Sequence, residues 1–207
     1  MWALATAAPE PPPTDTTPPT ITLTRPQNGA TYKLDQRVLA SYSCVDEGDV
    51  EQCSGPVASG RRVNTSSIGA KTFTVDARDG TGNTSTKSAT YRVVWPLIGL
   101  QAPVDPPPVV NVVKRGSVVP VVFSLGGYRG KAVFAATSPA STRVACNPRA
   151  RNDVLERTLK ASAPRLTYAS GKYTYAWKTD PVWRGTCRQL GVRFADGQQR
   201  TAVFRFW

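Results

Sequence analysis

Four cysteines stand at positions that suit two disulfide bonds. Cys44 and Cys53 lie close together in the sequence, whereas Cys146 and Cys187 lie further apart in the second half. No two of them have the C-x-x-C spacing that is typical of redox motifs and of many zinc sites. Four cysteines allow three connectivities, and we predict Cys44–Cys53 and Cys146–Cys187 because each bond then stays inside one predicted domain. Such bonds persist in oxidising compartments, so the sequence indicates a secreted or cell-surface protein.

A set of arginines, accompanied by one tryptophan, surrounds the second pair of cysteines. The set consists of Arg143, Arg149, Arg151, Arg157, Trp183, Arg184 and Arg188. A bond between Cys146 and Cys187 would bring the arginines that follow and precede Cys146 close to the residues that flank Cys187. Guanidinium groups pair with anionic groups, and aromatic rings stack on apolar faces such as those of sugars. The set therefore predicts a patch that binds polyanions or polysaccharides, with a solvated basic face as the alternative.

An acidic run lies between Cys44 and Cys53, in the loop that their bond would close. It contains Asp46, Glu47, Asp49 and Glu51. Calcium sites use six to eight oxygen ligands on a defined loop, and four carboxylates could supply some of them. Because the spacing does not match an EF-hand loop, we interpret the run as a solvated loop, with a calcium site as the alternative. No metal and no other cofactor is predicted.

The sequence contains no histidine, which removes the most common general base and the most common metal ligand. A Ser-His-Asp triad is therefore impossible. The second half contains five carboxylates, Asp105, Asp153, Glu156, Asp180 and Asp196, and no two have a spacing that indicates a glycosidase pair. No glycine-rich phosphate loop occurs either. We predict that the protein is not an enzyme, and we name no catalytic residue.

The positive charge is concentrated in the second half of the sequence. Residues 1–100 contain nine Lys or Arg and nine Asp or Glu, whereas residues 101–207 contain 17 Lys or Arg and five Asp or Glu. The net charge of +12 therefore belongs to the second half. A domain with such an excess attracts polyanions through its long-range field. Outside a cell the available polyanions are acidic polysaccharides, wall polymers and anionic lipid surfaces, and nucleic acid is not the expected partner.

Proline, glycine and β-branched residues are abundant and few segments favour a helix, which together indicate an all-β protein. We predict two immunoglobulin-like β-sandwich domains in tandem. The predicted segments are a Pro/Thr-rich tail at 1–18, a bacterial immunoglobulin-like sandwich at 19–95, a stiff Pro-rich linker at 96–108 and a basic sandwich at 109–207. No stretch is long and apolar enough to predict a membrane-spanning helix.

Alternation of apolar and polar residues predicts individual strands and their buried faces. In residues 71–78 the pattern predicts a strand with Phe73, Val75 and Ala77 facing the core. Residues 118–125 form an apolar run that contains Pro120. Proline cannot donate a hydrogen bond to a neighbouring strand, so we predict that this run is an edge strand or a bulged one.

The same apolar run resembles the signature of the PxKF-type domain, a small module of secreted actinobacterial proteins. The matching residues are Pro120, Phe123, Leu125 and Gly126, and Val122 stands where the family usually has lysine. The similarity continues at 173–179, 183–189 and 202–206, and it covers about the second half of the chain. The resemblance implies a non-catalytic β module and no particular ligand.

The first half resembles the immunoglobulin-like repeats of bacterial surface proteins. The similar segments are residues 19–22, residues 69–75 and the turn from Asp79 to Asn83. This resemblance implies a sandwich fold and a location at a cell surface.

These features favour a non-catalytic accessory or adhesion module. It would hold or space a neighbouring activity near an anionic cell-envelope or polysaccharide surface. Its expected partners are anionic or neutral cell-surface polysaccharides and neighbouring domains of a larger chain. Two alternatives remain open: a purely structural stalk without a ligand, and an immunoglobulin-like module of a virion surface or appendage.

Overall fold

The computed structural model describes residues 15–160 and 165–207, so most of the predicted tail at 1–18 lies outside the described residues. The described residues divide into two compact units: unit 1 contains 15–31, 36–65 and 70–92, and unit 2 contains 32–35, 66–69 and 93–207. Within these ranges the one helical element is a 3-10 turn at Pro181–Trp183, and no helix is long and apolar enough to cross a membrane. The predicted fold class, two immunoglobulin-like β-sandwiches in tandem, is confirmed.

Unit 1 is built around two sheets. Its strands are β1 (Thr20–Arg25), β2 (Ala30–Lys33), β3 (Ser41–Val45), β4 (Val50–Ser54), β5 (Gly69–Asp79) and β6 (Thr84–Val94). One sheet pairs β1 with β3, and the other has the order β2-β6-β5-β4. In β5 the side chains of Phe73, Val75 and Ala77 are buried and alternate with more exposed residues, as the sequence pattern predicts. Tyr91 of β6 is also buried in this core.

The Cys44–Cys53 bond is present as predicted, and it links β3 to β4. These strands belong to different sheets of unit 1, so the bond joins the two layers. On the loop-entropy model, a ring of this length stabilises the folded state by about 2.5–3 kcal/mol.

Unit 2 also contains two sheets. Its strands are β7 (Ile98–Gln101), β8 (Val110–Val113), β9 (Val118–Ser124), β10 (Ala140–Val144), β11 (Asn152–Val154), β12 (Arg165–Ala169), β13 (Lys172–Lys178), β14 (Cys187–Arg193) and β15 (Gln199–Phe206). The five-stranded sheet has the order β10-β14-β15-β8-β11, and the four-stranded sheet has the order β12-β13-β9-β7. The core contains the fully buried rings of Phe123, Phe194 and Phe204.

The prediction that the strand around Pro120 is an edge strand is wrong, and the irregularity predicted as the other possibility lies in the neighbouring β7, where the pairing with β9 shifts register between Ile98 and Gln101. Strand β9 lies between β13 and β7, and all seven of its residues are buried. Pro120 is tolerated because β7 no longer pairs at this position: the described pairing with β7 ends at Val122, and the next contact on that side is the bridge between Val118 and Leu159. Val122 in this strand is also buried, which suits an apolar side chain at this position.

The prediction of a linker at 96–108 needs correction. This segment contains β7, which pairs with β9, and the side chains of Leu100 and Val104 belong to the core of unit 2. Just before it, the backbone N–H of Trp95 donates to the buried carboxylate of Asp196, with a distance of 2.8 Å between nitrogen and oxygen. The predicted boundaries at 95 and 109 therefore differ from those of the units, and residues 93–108 are part of the second sandwich.

Substitutions in β7 test this correction. We expect Leu100→Ala to lower the free energy of unfolding of unit 2 by about 2–4 kcal/mol, because it leaves a cavity in a packed core. Ile98→Ala is the matched control, since that side chain is 60% exposed and its loss should change stability by about 0.5 kcal/mol or less. Urea denaturation followed by tryptophan fluorescence measures both. Equal, small effects would mean that the segment is a linker after all.

Candidate functional site

The Cys146–Cys187 bond confirms the second predicted pairing, and it lies within the predicted basic patch. Cys187 begins β14, and Val144 at the end of β10 is its cross-strand partner. The bond closes a long ring, which on the loop-entropy model stabilises the fold by about 4 kcal/mol. Beside the bond lies an open depression of about 400 Å³, whose lining includes Arg143 and Gly185.

Two of the predicted arginines form the centre of this patch. Arg143 and Arg188 are directly opposite each other in the antiparallel pair of β10 and β14. The guanidinium carbon of Arg188 lies 4.2 Å from the centroid of the Trp183 ring, and its Nη2 donates to the Ser141 carbonyl at 3.0 Å. Like charges opposite each other in a sheet repel. An anion bound beside the pair would relieve that repulsion.

The remaining predicted arginines are not all gathered at this point. The carbonyl of Arg151 accepts a hydrogen bond from Val110 of β8, next to β11. Strands β10 and β11 form opposite edges of the five-stranded sheet, so Arg151 lies at the other edge from Arg143. Exposed side chains elsewhere in the predicted set are those of Arg149, Arg157 and Arg184. The set is thus spread across one sheet, and its role in binding stays a prediction.

Acidic residues lie near Arg151. A hydrogen bond with Asp153 raises the pKa of Asp105, and burial together with the negative charges of Asp153 and Glu156 raises it further, whereas Arg151 lowers it. Arg151 therefore lies near the carboxylate of Asp105, whose negative charge offsets part of its positive charge.

A groove beside β12 and β13 was not predicted from the sequence. Its volume is about 680 Å³, and its lining includes Tyr128, Lys131, Arg165, Tyr168 and Tyr173. The ring of Tyr128 lies 5.2 Å from that of Tyr168 and 6.2 Å from that of Tyr173, between centroids. Tyr128 is 57% exposed, so this aromatic cluster opens to solvent.

The loop that carries Tyr128 is fixed by hydrogen bonds. The buried hydroxyl of Tyr173 accepts from the backbone N–H of Arg129 and donates to the Gly130 carbonyl, the latter at 3.0 Å. The Arg129 side chain donates to the carbonyls of Leu125 and Gly126. Burial raises the pKa of Tyr173, so its phenol remains a proton donor at neutral pH.

The predicted acidic run does not form a common site. Glu51 pairs with Arg78, with 3.5 Å between nitrogen and oxygen, and Glu47 and Asp49 are exposed. Only Asp46 joins a carboxylate cluster, whose other members are Asp15 and Asp79, with ligand atoms within 4.8 Å of one another. Asp46 Oδ2 is buried and has no hydrogen-bond partner in the described part of the chain. Of the four residues named for the alternative calcium site, only Asp46 thus belongs, among the described residues, to a group of carboxylates close enough together to share a metal ion.

Asp79 organises the turn that follows β5. Its Oδ1 accepts from the backbone N–H groups of Thr81 and Asn83, and its Oδ2 accepts from the Asn83 amide. Burial opposes ionisation of Asp79, but the hydrogen bonds from Asn83, Thr81 and Gly82 outweigh it and lower the pKa to about 2. The carboxylate is therefore charged at neutral pH and part of the turn structure.

Comparisons with known proteins give no family assignment. No protein-family model matches the chain, and no curated protein matches it. The PxKF-type and bacterial repeat resemblances therefore stay predictions.

Solved structures give low similarity. The titin domains Z1Z2 in complex with telethonin have a TM-score of 0.28 and 12% identity, over 92% of this chain and 97% of that chain. The SGBP-B of the Bacteroides ovatus mixed-linkage glucan utilization locus, in complex with a mixed-linkage heptasaccharide, has a TM-score of 0.25 and 11% identity. The match covers 93% of this chain and 48% of that chain. The N-terminal Ig1-2 module of the Drosophila receptor protein tyrosine phosphatase DLAR has a TM-score of 0.22 and 10% identity. The match covers 92% of this chain and 98% of that chain. These scores do not bear on function.

The Asp79 turn predicts a pH dependence for unit 1. Because the folded-state pKa of Asp79 is about 2 and an ordinary aspartate has a pKa of about 3.9, its contribution is full above about pH 4 and is lost as the pH falls through about 2. We expect Asp79→Asn to destabilise unit 1 at pH 7 and to show a smaller difference from wild type at pH 2. Urea titrations followed at the amide signals of Val75 and Ala77 measure this.

The matched control is Asp49→Asn, which changes an exposed aspartate. Its stability should follow the wild-type pH profile. If the Asp79→Asn profile also ran parallel to wild type between pH 7 and pH 2, the carboxylate would have no role in the turn.

Proposed function

We propose that this chain is a secreted, non-catalytic accessory or adhesion module whose unit 2 binds anionic cell-surface polysaccharide. The observation that carries the proposal is the exposed positive charge of unit 2. Of the 17 Lys and Arg in residues 101–207, 13 are exposed, and the same stretch contains five carboxylates. Such a surface attracts anionic polymers at a distance and pairs with their groups on contact.

Two of the carboxylates in this stretch serve the fold. Asp196 accepts from Trp95 and from Gln198, and Asp180 accepts from the backbone N–H of Val182 at the start of the 3-10 turn. Two more, Asp105 and Asp153, interact with each other near Arg151. Arg143, Arg149 and Arg184 are exposed and therefore accessible to a ligand.

The two disulfide bonds support the secreted location, because such bonds are rare in reducing compartments. A domain held to a polymer by surface charge would keep any activity elsewhere in a longer chain close to that polymer. The stalk and the virion or appendage module remain the alternatives. A stalk without a ligand has no need of a strongly basic surface, which is the observation that favours binding.

Removal of exposed arginines tests the proposal. We expect the triple variant R143A/R149A/R184A to bind heparin or acidic wall polysaccharide about tenfold more weakly, from three exposed charge contacts at about 0.5 kcal/mol each. Arg188 is kept because it packs on Trp183, and Arg151 is kept because it lies near the carboxylate of Asp105. The readout is the salt concentration of elution from a column that carries the polymer, since salt screens such contacts.

The matched control is the triple variant R25A/R37A/R92A, which removes the same number of exposed arginines from unit 1. It should elute close to wild type. If both triple variants elute at the same salt concentration, the basic face is only solvated and the stalk becomes the better description.

A further inference from the structure

The groove of Tyr128, Lys131, Arg165, Tyr168 and Tyr173 combines two features on one lining. One is an accessible aromatic surface, and the other is a pair of cations on the same lining. Both cations are exposed, whereas Tyr173 is only 1% exposed and forms the base of the aromatic cluster. The groove therefore offers an apolar face and a charged rim to one ligand.

The aromatic surface is held in place by packing and by hydrogen bonds. Tyr173 stacks on Phe123 of the core with 5.3 Å between centroids, and its hydroxyl holds the backbone at Arg129 and Gly130. The ring of Tyr168 packs against that of Tyr173, with 4.8 Å between their centroids. Because Tyr128 rests on Tyr168 and Tyr173, little side-chain entropy is lost when a ligand covers it.

The chemistry of the lining selects a particular ligand class. A tyrosine face accepts the apolar C–H face of a sugar ring, and its polar edge tolerates the surrounding hydroxyls. A guanidinium group pairs with a carboxylate through two parallel hydrogen bonds, and an ammonium group adds a point charge. A ligand that has an apolar ring face and a carboxylate on the same unit satisfies both features, and sugar acids have this structure.

We propose that this groove is a sugar-ring subsite for an acidic polysaccharide, in which a uronic acid ring stacks on Tyr128 and its carboxylate pairs with Arg165 and Lys131. The inference rests on the proposed function, since it names the site and the substrate class of polyanion binding by unit 2. It adds a requirement that charge alone does not make: the anion must be carried on a sugar ring.

Two polymers of matched charge number separate ring recognition from charge. The probes are an oligogalacturonate, which carries its carboxylates on sugar rings, and a polyglutamate, which does not. Binding to the full chain is measured by titration calorimetry at one low ionic strength. We expect wild type to prefer the oligogalacturonate. Tyr128→Ala should weaken that binding about fivefold to tenfold, the value of one aromatic contact, and leave polyglutamate binding unchanged.

Three further variants serve as controls. Tyr128→Phe keeps the ring and should retain the preference. Trp207→Ala removes another exposed aromatic residue of unit 2, with Lys114 at 6.0 Å from its ring, and should change neither affinity. The pair K131A/R165A should weaken oligogalacturonate binding more than the pair R193A/R205A, which removes two exposed charges from the five-stranded sheet.

The outcomes distinguish the inference from the proposed function. If wild type binds both polymers equally, or if Tyr128→Ala weakens both alike, the groove is not a sugar subsite, although unit 2 still binds polyanions. If wild type binds neither polymer, the proposed function fails and the inference fails with it.

Discussion

Unit 2 depends on the burial of β9 on both of its faces. The seven residues of this strand are all buried, and six of them are apolar. Phe123 lies 5.0 Å from Phe194 and 5.7 Å from Phe134, between ring centroids, and it also stacks on Tyr173. Each such aromatic pair contributes about 0.5–1.5 kcal/mol beyond its buried area. The strand therefore fixes the position of both sheets of unit 2 and of the loops that leave them.

The surface sites follow from this core. Because Phe123 fixes the ring of Tyr173, the Tyr173 hydroxyl can hold the loop that presents Tyr128. On the other sheet, the register of β10 and β14 sets Arg143 opposite Arg188. Exposed aromatic rings and opposed like charges are poor contributors to stability, which makes them informative about binding.

Unit 1 uses its charged residues differently. The carboxylate of Asp79 is almost fully buried and accepts hydrogen bonds from a tight turn, so its charge serves the fold. Asp46 and Asp15 approach the same carboxylate. Three acidic residues of unit 1 thus converge at the turn after β5, and of the acidic run between the cysteines only Asp46 takes part.

The sequence by itself determined the features that depend on local pattern and on composition. The alternation of apolar and polar residues predicted which face of β5 is buried. The order of the cysteines along the chain predicted that Cys44 pairs with Cys53. The positive charge of the second half follows directly from its residue composition. The tertiary structure decided the rest. The proline content of residues 96–108 indicated an extended segment. Only the tertiary structure shows that β7 in this segment pairs with β9 and that Leu100 is buried. The groove could not be predicted because Tyr128 and Tyr168 are far apart in the chain, and only the fold brings their rings together beside Tyr173. Contacts of this kind are set by the register of strands, which a one-dimensional pattern does not specify.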